Sequence, residues 1–241
     1  MGRMKRRVAP WLLAGVLVVA FCALGTWQWR RGAAKDAMLA AQAAALAERR
    51  AGSLAALSLD DGGALAWAAG RGRFADAPVL LLDNQRRGDA VGVREFRVFQ
   101  PDGGRAVLVD LGWIALPGDR ELPAATPLPG VHDLRGLLAP PPSAGLALGP
   151  DHAEAGPGRW LLTRMDLAAL AGALRIDLAP RVLRLDPAVP LGHARDLDPL
   201  PNTLPPERHR GYAVQWFALA IAVLVTALIL TFRKARHEHI P

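Results

Sequence analysis

Residues 212–232 read YAVQWFALAIAVLVTALILTF, and within them Ala218 to Leu230 is apolar apart from Thr226. A second apolar run, VAPWLLAGVLVVAFCALGT, covers residues 8–26. Each run is close to the ~20 apolar residues that an α-helix needs to cross the hydrocarbon core of a bilayer. The sequence therefore predicts a membrane protein with one transmembrane helix near each end and a polar segment between them.

The first apolar run is also compatible with a cleaved signal peptide. It follows basic residues, and Ala23-Leu24-Gly25 offers a cleavage pattern of small residues at the required spacing. The run from Leu12 to Leu24 is long for a signal peptide, and the bulky Trp27 follows the candidate cleavage site. We therefore expect an uncleaved transmembrane helix, with cleavage as the alternative.

Basic residues flank the two spans on their outer sides. Positively charged flanks tend to stay in the cytoplasm, so both tails, residues 1–7 and 233–241, are predicted to be cytoplasmic. Residues 27–211 then form a periplasmic domain of a bacterial inner-membrane protein, because an arginine-rich, alanine-rich composition is typical of a high-GC bacterial genome. The flanking basic residues are Arg3, Lys5, Arg6, Arg7, Arg233, Lys234 and Arg236.

The formal charge of +7 is explained by this topology. Most of the excess lies in the two tails, and the central segment is nearly neutral. A protein that binds nucleic acid needs a basic surface to neutralise phosphates, so nucleic-acid binding is excluded. Cys22, the only cysteine, lies in the first span, so the central domain has no disulfide.

The central segment alternates strand-like runs with turns rich in proline and glycine. These runs predict an α+β domain that is mainly antiparallel β, whereas Pro140 to Gly158 carries too much proline and glycine to predict regular structure. The predicted helices are Ala33–Arg50 and Asp166–Leu174, and the predicted strands are Trp67–Phe74, Val79–Asp83, Val93–Phe99, Arg105–Ile114, Val131–Leu138 and Arg181–Leu185.

The clearest supersecondary signal is a hairpin around Pro101-Asp102-Gly103-Gly104, which separates two β-rich runs. Side chains alternate between the two faces of a strand. We therefore expect Val107, Val109, Leu111 and Trp113 to lie on one face and to belong to the core.

Signals for catalysis are weak. The chain has no nucleophile-elbow motif, no cysteine nucleophile outside the membrane and no phosphate-binding glycine loop. His132, His152 and His193 are isolated in sequence. His209 differs because it lies three residues before Tyr212, where the second span begins. An imidazole there could ligate iron while a macrocycle lies against apolar helix, although an interfacial polar residue is the alternative.

Three separated patches of the sequence resemble the surfeit-locus family of cytochrome c oxidase assembly factors. They occur in the family's order, and the layout with two spans is similar. The patches are Leu24-Gly25-Thr26-Trp27-Gln28 with Arg31 and Lys35 following; Gly72-Arg73-Phe74, Leu82-Asp83-Asn84-Gln85 and Val107-Leu108-Val109-Asp110-Leu111-Gly112-Trp113-Ile114; and His209-Arg210-Gly211-Tyr212-Ala213-Val214-Gln215-Trp216-Phe217.

The resemblance implies a non-enzymatic assembly factor of the respiratory chain, acting as a chaperone at the insertion of haem a into the catalytic subunit of cytochrome c oxidase or at its stabilisation. The expected partners are that subunit or the haem a synthesis machinery, together with membrane lipid. Haem a would be a transient cargo, with His209 as its metal ligand. The other expected binding residues are Arg210, Tyr212, Trp216, Trp27, Gln28 and Arg31.

Two other classes of protein remain open on the sequence. One is a periplasmic binding or sensing domain tethered to the membrane, which would have a formed pocket and no dependence on His209. The other is a membrane-anchored hydrolase, which the missing nucleophile motif disfavours.

Overall fold

A computed structural model describes residues 2–55, 65–142, 149–197 and 204–237. The chain divides into two compact units. A helical unit comprises Met1–Leu39 and Thr203–Pro241, and a sheet unit comprises Ala40–Asn202.

Two long helices, one near each end of the chain, carry the predicted spans. They are α1 (Gly2–Glu48) and α3 (Pro206–His237). Within them, Pro10–Glu48 and Pro206–Arg233 are long and apolar enough to cross a membrane. The prediction of an apolar helix near each end is confirmed. The helix predicted over Ala33–Arg50 is the continuation of α1, since alanine-rich sequence of high helix propensity follows the span without a proline.

The sheet unit contains nine strands and one short helix among its described residues. The short strands β1, β7 and β8 were not predicted, and the absence of regular structure predicted for Pro140–Gly158 is wrong at β7, which pairs with β8. The elements are β1 (Gly52–Ser53), β2 (Ala66–Phe74), β3 (Val79–Arg87), β4 (Ala90–Pro101), β5 (Ala106–Ala115), β6 (His132–Ala139), β7 (His152–Glu154), β8 (Arg159–Leu162), α2 (Leu167–Leu174) and β9 (Leu178–Leu185).

Five of the strands close into a ring. The order of neighbours is β2, β6, β9, β5 and β4, and β4 returns to β2 through the pairing of Gly72 to Phe74 with Phe99 to Pro101. A Cβ atom added at Gly72 would lie 2.2 Å from the carbonyl oxygen of Gln100. Glycine at this position therefore allows the close backbone approach that completes the ring.

The prediction of a mainly antiparallel sheet is confirmed, since six of the nine strand pairings among the described residues are antiparallel, but the sheet is mixed. The predicted hairpin between β4 and β5 is present and antiparallel. However, β5 pairs with β9, β3 with β8, and β1 with β2 in parallel. The chain between β8 and β9 crosses over through α2, and crossover connections join strands without the direct reversal that a hairpin imposes.

Two apolar clusters occupy opposite faces of the ring strands. One fills the interior of the ring and includes Phe99, Val109 and Leu183. The other lies under α2 and includes Leu108 and Leu170. Strand β5 is therefore buried on both faces, because α2 and β8 cover the side that a simple hairpin would leave in water.

The predicted core positions on β5 hold with one exception. Val107, Val109 and Leu111 are buried in the ring interior. Trp113 is only partly buried, and its Nε1 donates a hydrogen bond to the carbonyl oxygen of Gln85 over 2.9 Å. The alternation of faces fails because Gly112, with φ of 118°, interrupts the regular strand conformation before Trp113.

After β9 the chain packs back onto β5 through a segment, residues 186–197, that we call the strap. The backbone N–H of His193 donates to the carbonyl oxygen of Leu111, and that of Trp113 donates to Ala194, both over 2.8 Å. The Arg195 guanidinium donates to several carbonyl oxygens of the strap itself. These bonds hold an irregular segment in one conformation, because they satisfy carbonyl groups that no ladder reaches.

We expect Gly192→Ala to destabilise the protein more than Gly130→Ala. The two glycines have φ of 83° and 88°, but a Cβ at Gly192 would lie 2.3 Å from the carbonyl oxygen of Leu111, whereas Gly130 has nothing within 4 Å. Backbone strain should cost about 1 kcal/mol at either site, and the clash should add roughly 2 kcal/mol at Gly192. Urea denaturation of the protein in detergent micelles measures both. Equal losses of stability in the two variants would show that Gly192 does not closely contact the backbone of β5.

Candidate functional site

The two long helices pack against each other in antiparallel fashion within the helical unit. Phe21 contacts Trp216, with ring centroids 5.6 Å apart. Further along, Gln28 meets His209, and Asp36 forms an ion pair with Arg210. Trp216 and His209 thus meet α1 in the reverse of their order along the chain, as expected for an antiparallel pair. We call this line of contacts the seam.

Small residues allow the close approach of the helices along the seam. A Cβ atom at Gly25 would lie 2.7 Å from Cε1 of Phe217, and one at Gly32 would lie 3.3 Å from the carbonyl oxygen of Pro206. On the facing helix, Ala213 and Ala220 are buried. Both pairs repeat every seven residues, the spacing that keeps one face of a helix turned towards a partner. Small residues at the contact surface are typical of helix pairs in membranes.

His209 and Gln28 form the polar centre of the seam. His209 is 7% exposed, although it lies at the start of a helix that is otherwise largely exposed. Its Nδ1 atom is 2.7 Å from Oε1 of Gln28. Because the amide oxygen can only accept, the Nδ1–H of His209 is the donor in this bond.

The other ring nitrogen of His209 is buried and has no hydrogen-bond partner. With the proton on Nδ1, this Nε2 atom carries a free lone pair. A buried acceptor without a partner costs less free energy than a buried N–H without one. The tautomer with the proton on Nδ1 is therefore also the one of lower free energy. Nε2 thus has a lone pair that a metal could take once the side chains covering this atom move aside, and a hydrogen bond at the other ring nitrogen is the usual way in which a histidine ligand is oriented.

Two basic side chains of α1 lie near His209, beyond the apolar run of that helix. Arg31 and Lys35 lie near enough for electrostatic interaction with the imidazole. The Lys35 ammonium donates to the carbonyl oxygen of Leu204, while Arg31 is exposed. Arg210 is engaged with Asp36, so it can pair with another anion only if that contact opens.

The aromatic residues predicted for the site do not form one cluster. Trp216 packs on Phe21 along the seam. Trp27 is 57% exposed, and Tyr212 is also exposed. Of the seven predicted residues, the structure therefore brings Gln28 and His209 into direct contact. Over the described ranges, no group of three or more His, Cys, Asp or Glu side chains could hold a metal ion.

A second polar cluster, which sequence reasoning missed, lies in the sheet unit. Nε2 of His193 on the strap is 2.9 Å from Oε2 of Glu95 on β4, and Nε of Arg97 donates to Oε1 of the same carboxylate over 2.7 Å. On the neighbouring positions, Arg94 pairs with Asp110 on β5 over 2.6 Å. Glu95 and Arg97 are two residues apart on β4 and share one face, and this period of two is the signal that could have revealed their contact, whereas the adjacent Arg94 projects from the other face.

The sheet unit also has an open groove of about 500 Å³ beside the strap. Arg71, Asp133 and Arg135 line it, together with Val189 and Pro190. Nε of Arg135 donates to the carboxylate of Asp186 over 2.9 Å, which ties the strap to this face of β6. The groove is mixed in charge, and its walls are partly apolar.

We expect Glu95→Gln to reduce the loss of stability in acid. Burial alone raises the pKa of Glu95, but the hydrogen bonds and charges of His193 and Arg97 outweigh it and hold the pKa below the ordinary value of 4.5. The ionised carboxylate thus stabilises the fold above that value, and the contribution is lost as pH falls through the lowered pKa.

Thermal unfolding of the protein in micelles from about pH 7 to about pH 3 tests this expectation. The Gln variant should be less stable than wild type near neutrality and should change less in acid. Asp89→Asn, at an exposed turn between β3 and β4, is the control and should leave the profile unchanged. An identical acid limb in wild type and Glu95→Gln would contradict the role of this carboxylate.

We expect Gly25→Leu to destabilise the helix pair by roughly 1–3 kcal/mol, the usual cost of overpacking. The added side chain would displace the Phe217 ring. Gly15→Leu is the matched control, because Gly15 lies on the same helix with nothing within 4 Å of an added Cβ. Thermal unfolding of the helices in micelles, followed by circular dichroism, compares the two. A loss at Gly15 as large as that at Gly25 would rule out close packing as the cause.

The sequence model of the SURF1 family matches residues 15–221, which include most of α1, the first half of α3 and the whole sheet unit. Curated proteins give no significant match. The SURF1 family is a family of assembly factors associated with cytochrome oxidase, and it is not a known enzyme family. Because the match covers most of the chain, this protein belongs to the SURF1 family.

Proposed function

We propose that this protein is an assembly factor for haem-copper cytochrome c oxidase that carries haem a during its insertion into the catalytic subunit, or during stabilisation of that subunit. His209 is the proposed ligand of the haem iron. The observation that carries this proposal is the Nε2 atom of His209, which is buried and has no partner while Nδ1 is held by Gln28.

The residues around His209 suit a haem group. A haem would bring nitrogen ligands of its own to the iron, so His209 alone could supply the ligand from the protein. The macrocycle is apolar and the propionates are anionic. Towards the membrane, Trp216 and Phe217 offer apolar surface, and on the other side Arg31 and Lys35 offer positive charge. When bound, the haem supplies the redox-active iron of the oxidase, and the protein's part is to hold and release it.

The proposed location is the inner membrane of a bacterium, with both termini cytoplasmic and the sheet unit in the periplasm. The basic tails support this orientation. The partners that fit are the catalytic subunit of the oxidase or the machinery that synthesises haem a. Trp27 and Trp29 are exposed near the end of the first apolar run, which suits contact with lipid headgroups.

A second candidate function is a periplasmic binding domain that does not use haem. The groove lined by Arg71, Asp133 and Arg135 favours this alternative, because side chains of both charges could orient a small polar ligand. The two functions differ in their dependence on His209, which belongs to the helical unit and not to the groove.

The first experiment is a reduced-minus-oxidised optical spectrum of membranes from cells that lack this gene. We expect a selective loss of the haem a band, with b-type and c-type signals retained. An unchanged haem a band, in cells that express such an oxidase and carry no second copy of the factor, would favour the binding domain.

Complementation with His209→Ala then tests the ligand. We expect the variant to reach the membrane in normal amount and to restore haem a poorly, because the proposed protein ligand of the iron is missing. His132→Ala is the matched histidine control; His132 contacts the carbonyl oxygen of Pro129 in the sheet unit. Full restoration of haem a by His209→Ala would remove the ligand role.

A further inference from the structure

The side chain of Gln28 contacts His209 across the seam. It projects from α1, 181 residues before His209 in sequence, and its amide oxygen meets Nδ1 of that histidine at 2.7 Å. Both side chains are mounted on continuous helices. Such elements hold a contact more rigidly than loops do.

We propose that Gln28 is a positioning residue that fixes His209 in the tautomer with the proton on Nδ1 and so presents Nε2 to the iron. This inference rests on the proposed function. It goes beyond it by assigning to Gln28 a role through His209 and not a contact with the haem itself.

The tautomer matters because a free imidazole ring can carry its proton on either nitrogen. With the proton on Nε2, the nitrogen that lacks a partner in the structure would be a donor and could not ligate iron. In the orientation that the structure has, the amide oxygen of Gln28 faces Nδ1 and accepts only from a protonated Nδ1. The reverse orientation of the amide would leave a buried N–H on Nε2 without an acceptor. Partners of this kind orient metal-binding histidines and set their basicity.

The chemical character of the partner also matters. A carboxylate at the same place would draw the Nδ1 proton more strongly and make the imidazole a stronger ligand. A neutral amide fixes the orientation without that increase. A weaker axial bond suits a protein that has to release its cargo, so glutamine is the residue type expected for a carrier.

The first test reads the tautomer in the protein without haem. The full chain is labelled with 15N-histidine in detergent micelles, and the His209 signals are assigned by their absence in His209→Ala. We expect the Nδ1-protonated tautomer in wild type, its retention in Gln28→Glu and a mixture of tautomers in Gln28→Leu. A wild-type His209 protonated on Nε2, or a Gln28→Leu spectrum like wild type, would overturn the proposal.

The second test measures the binding of purified haem a to the same proteins. Loss of a partner that orients a ligand typically weakens metal binding about 10- to 100-fold, and we expect a weakening of that order in Gln28→Leu. Gln28→Glu should bind haem more tightly, release it more slowly and lower the reduction potential of the iron. Gln215→Leu, an exposed glutamine on α3, is the control and should bind as wild type.

The outcomes separate the two proposals. If His209→Ala loses haem while both Gln28 variants bind it as wild type, the positioning role is overturned and the ligand role stands. If His209→Ala binds haem as wild type, the proposed ligand is wrong, and the role of Gln28 towards iron is overturned with it. Gln28→Glu keeps the shape and the acceptor, so it provides the comparison even if Gln28→Leu does not fold.

Discussion

The close approach of α1 and α3 is the constraint on which the candidate site depends. Helices in lipid gain little from burying apolar side chains, because the surrounding tails are as apolar as leucine. Association therefore relies on packing, and packing relies on Gly25 and Gly32 facing a helix with small residues of its own. Only at this separation can the side chains of Gln28 and His209 meet. The polar contact is thus a product of the packing of its small neighbours.

A comparable principle organises the sheet unit. The ring closes where Gly72 permits β2 to approach β4, and the strap lies against β5 where Gly112 and Gly192 permit the backbones to approach. Around these close approaches, charged side chains form hydrogen bonds with backbone groups that the strand pairings leave without a partner. Arg195 holds the carbonyl oxygens of the strap, and Glu95 joins His193 to β4. The domain has no disulfide, and hydrogen bonds and ion pairs of arginines and carboxylates connect its segments instead.

Much of the fold could be predicted because the relevant signals are local. Long apolar runs predicted both helices, and the Pro101-Asp102-Gly103-Gly104 turn predicted the central hairpin. The strands that were missed obtain their conformation from a partner distant in sequence. His152–Glu154 is a strand because it pairs with β8, and β8 is one because it pairs with β3. Parallel pairing through a crossover leaves no turn signal that a single sequence could display.

The candidate site divides in the same way. The position of His209 at the start of a span was sufficient to select it, whereas its partner could not be chosen from position alone. Trp27, Gln28 and Arg31 were predicted together, and only the register of the seam distinguishes Gln28 from its neighbours. That register is indicated by small residues seven positions apart on each helix, Gly25 and Gly32 on α1 and Ala213 and Ala220 on α3. It becomes readable once the two helices are known to be partners.

The distance in sequence between Gln28 and His209 also sets an order of events during synthesis. The ribosome completes the first span and the whole sheet unit before it reaches α3, so a nascent chain carries half of the seam for most of its translation. A chain that is cut short before α3 has Gln28 but lacks His209, its partner in the seam. If His209 is the haem ligand, as proposed, haem binding at this site would therefore require that α3 has been made and has packed against α1.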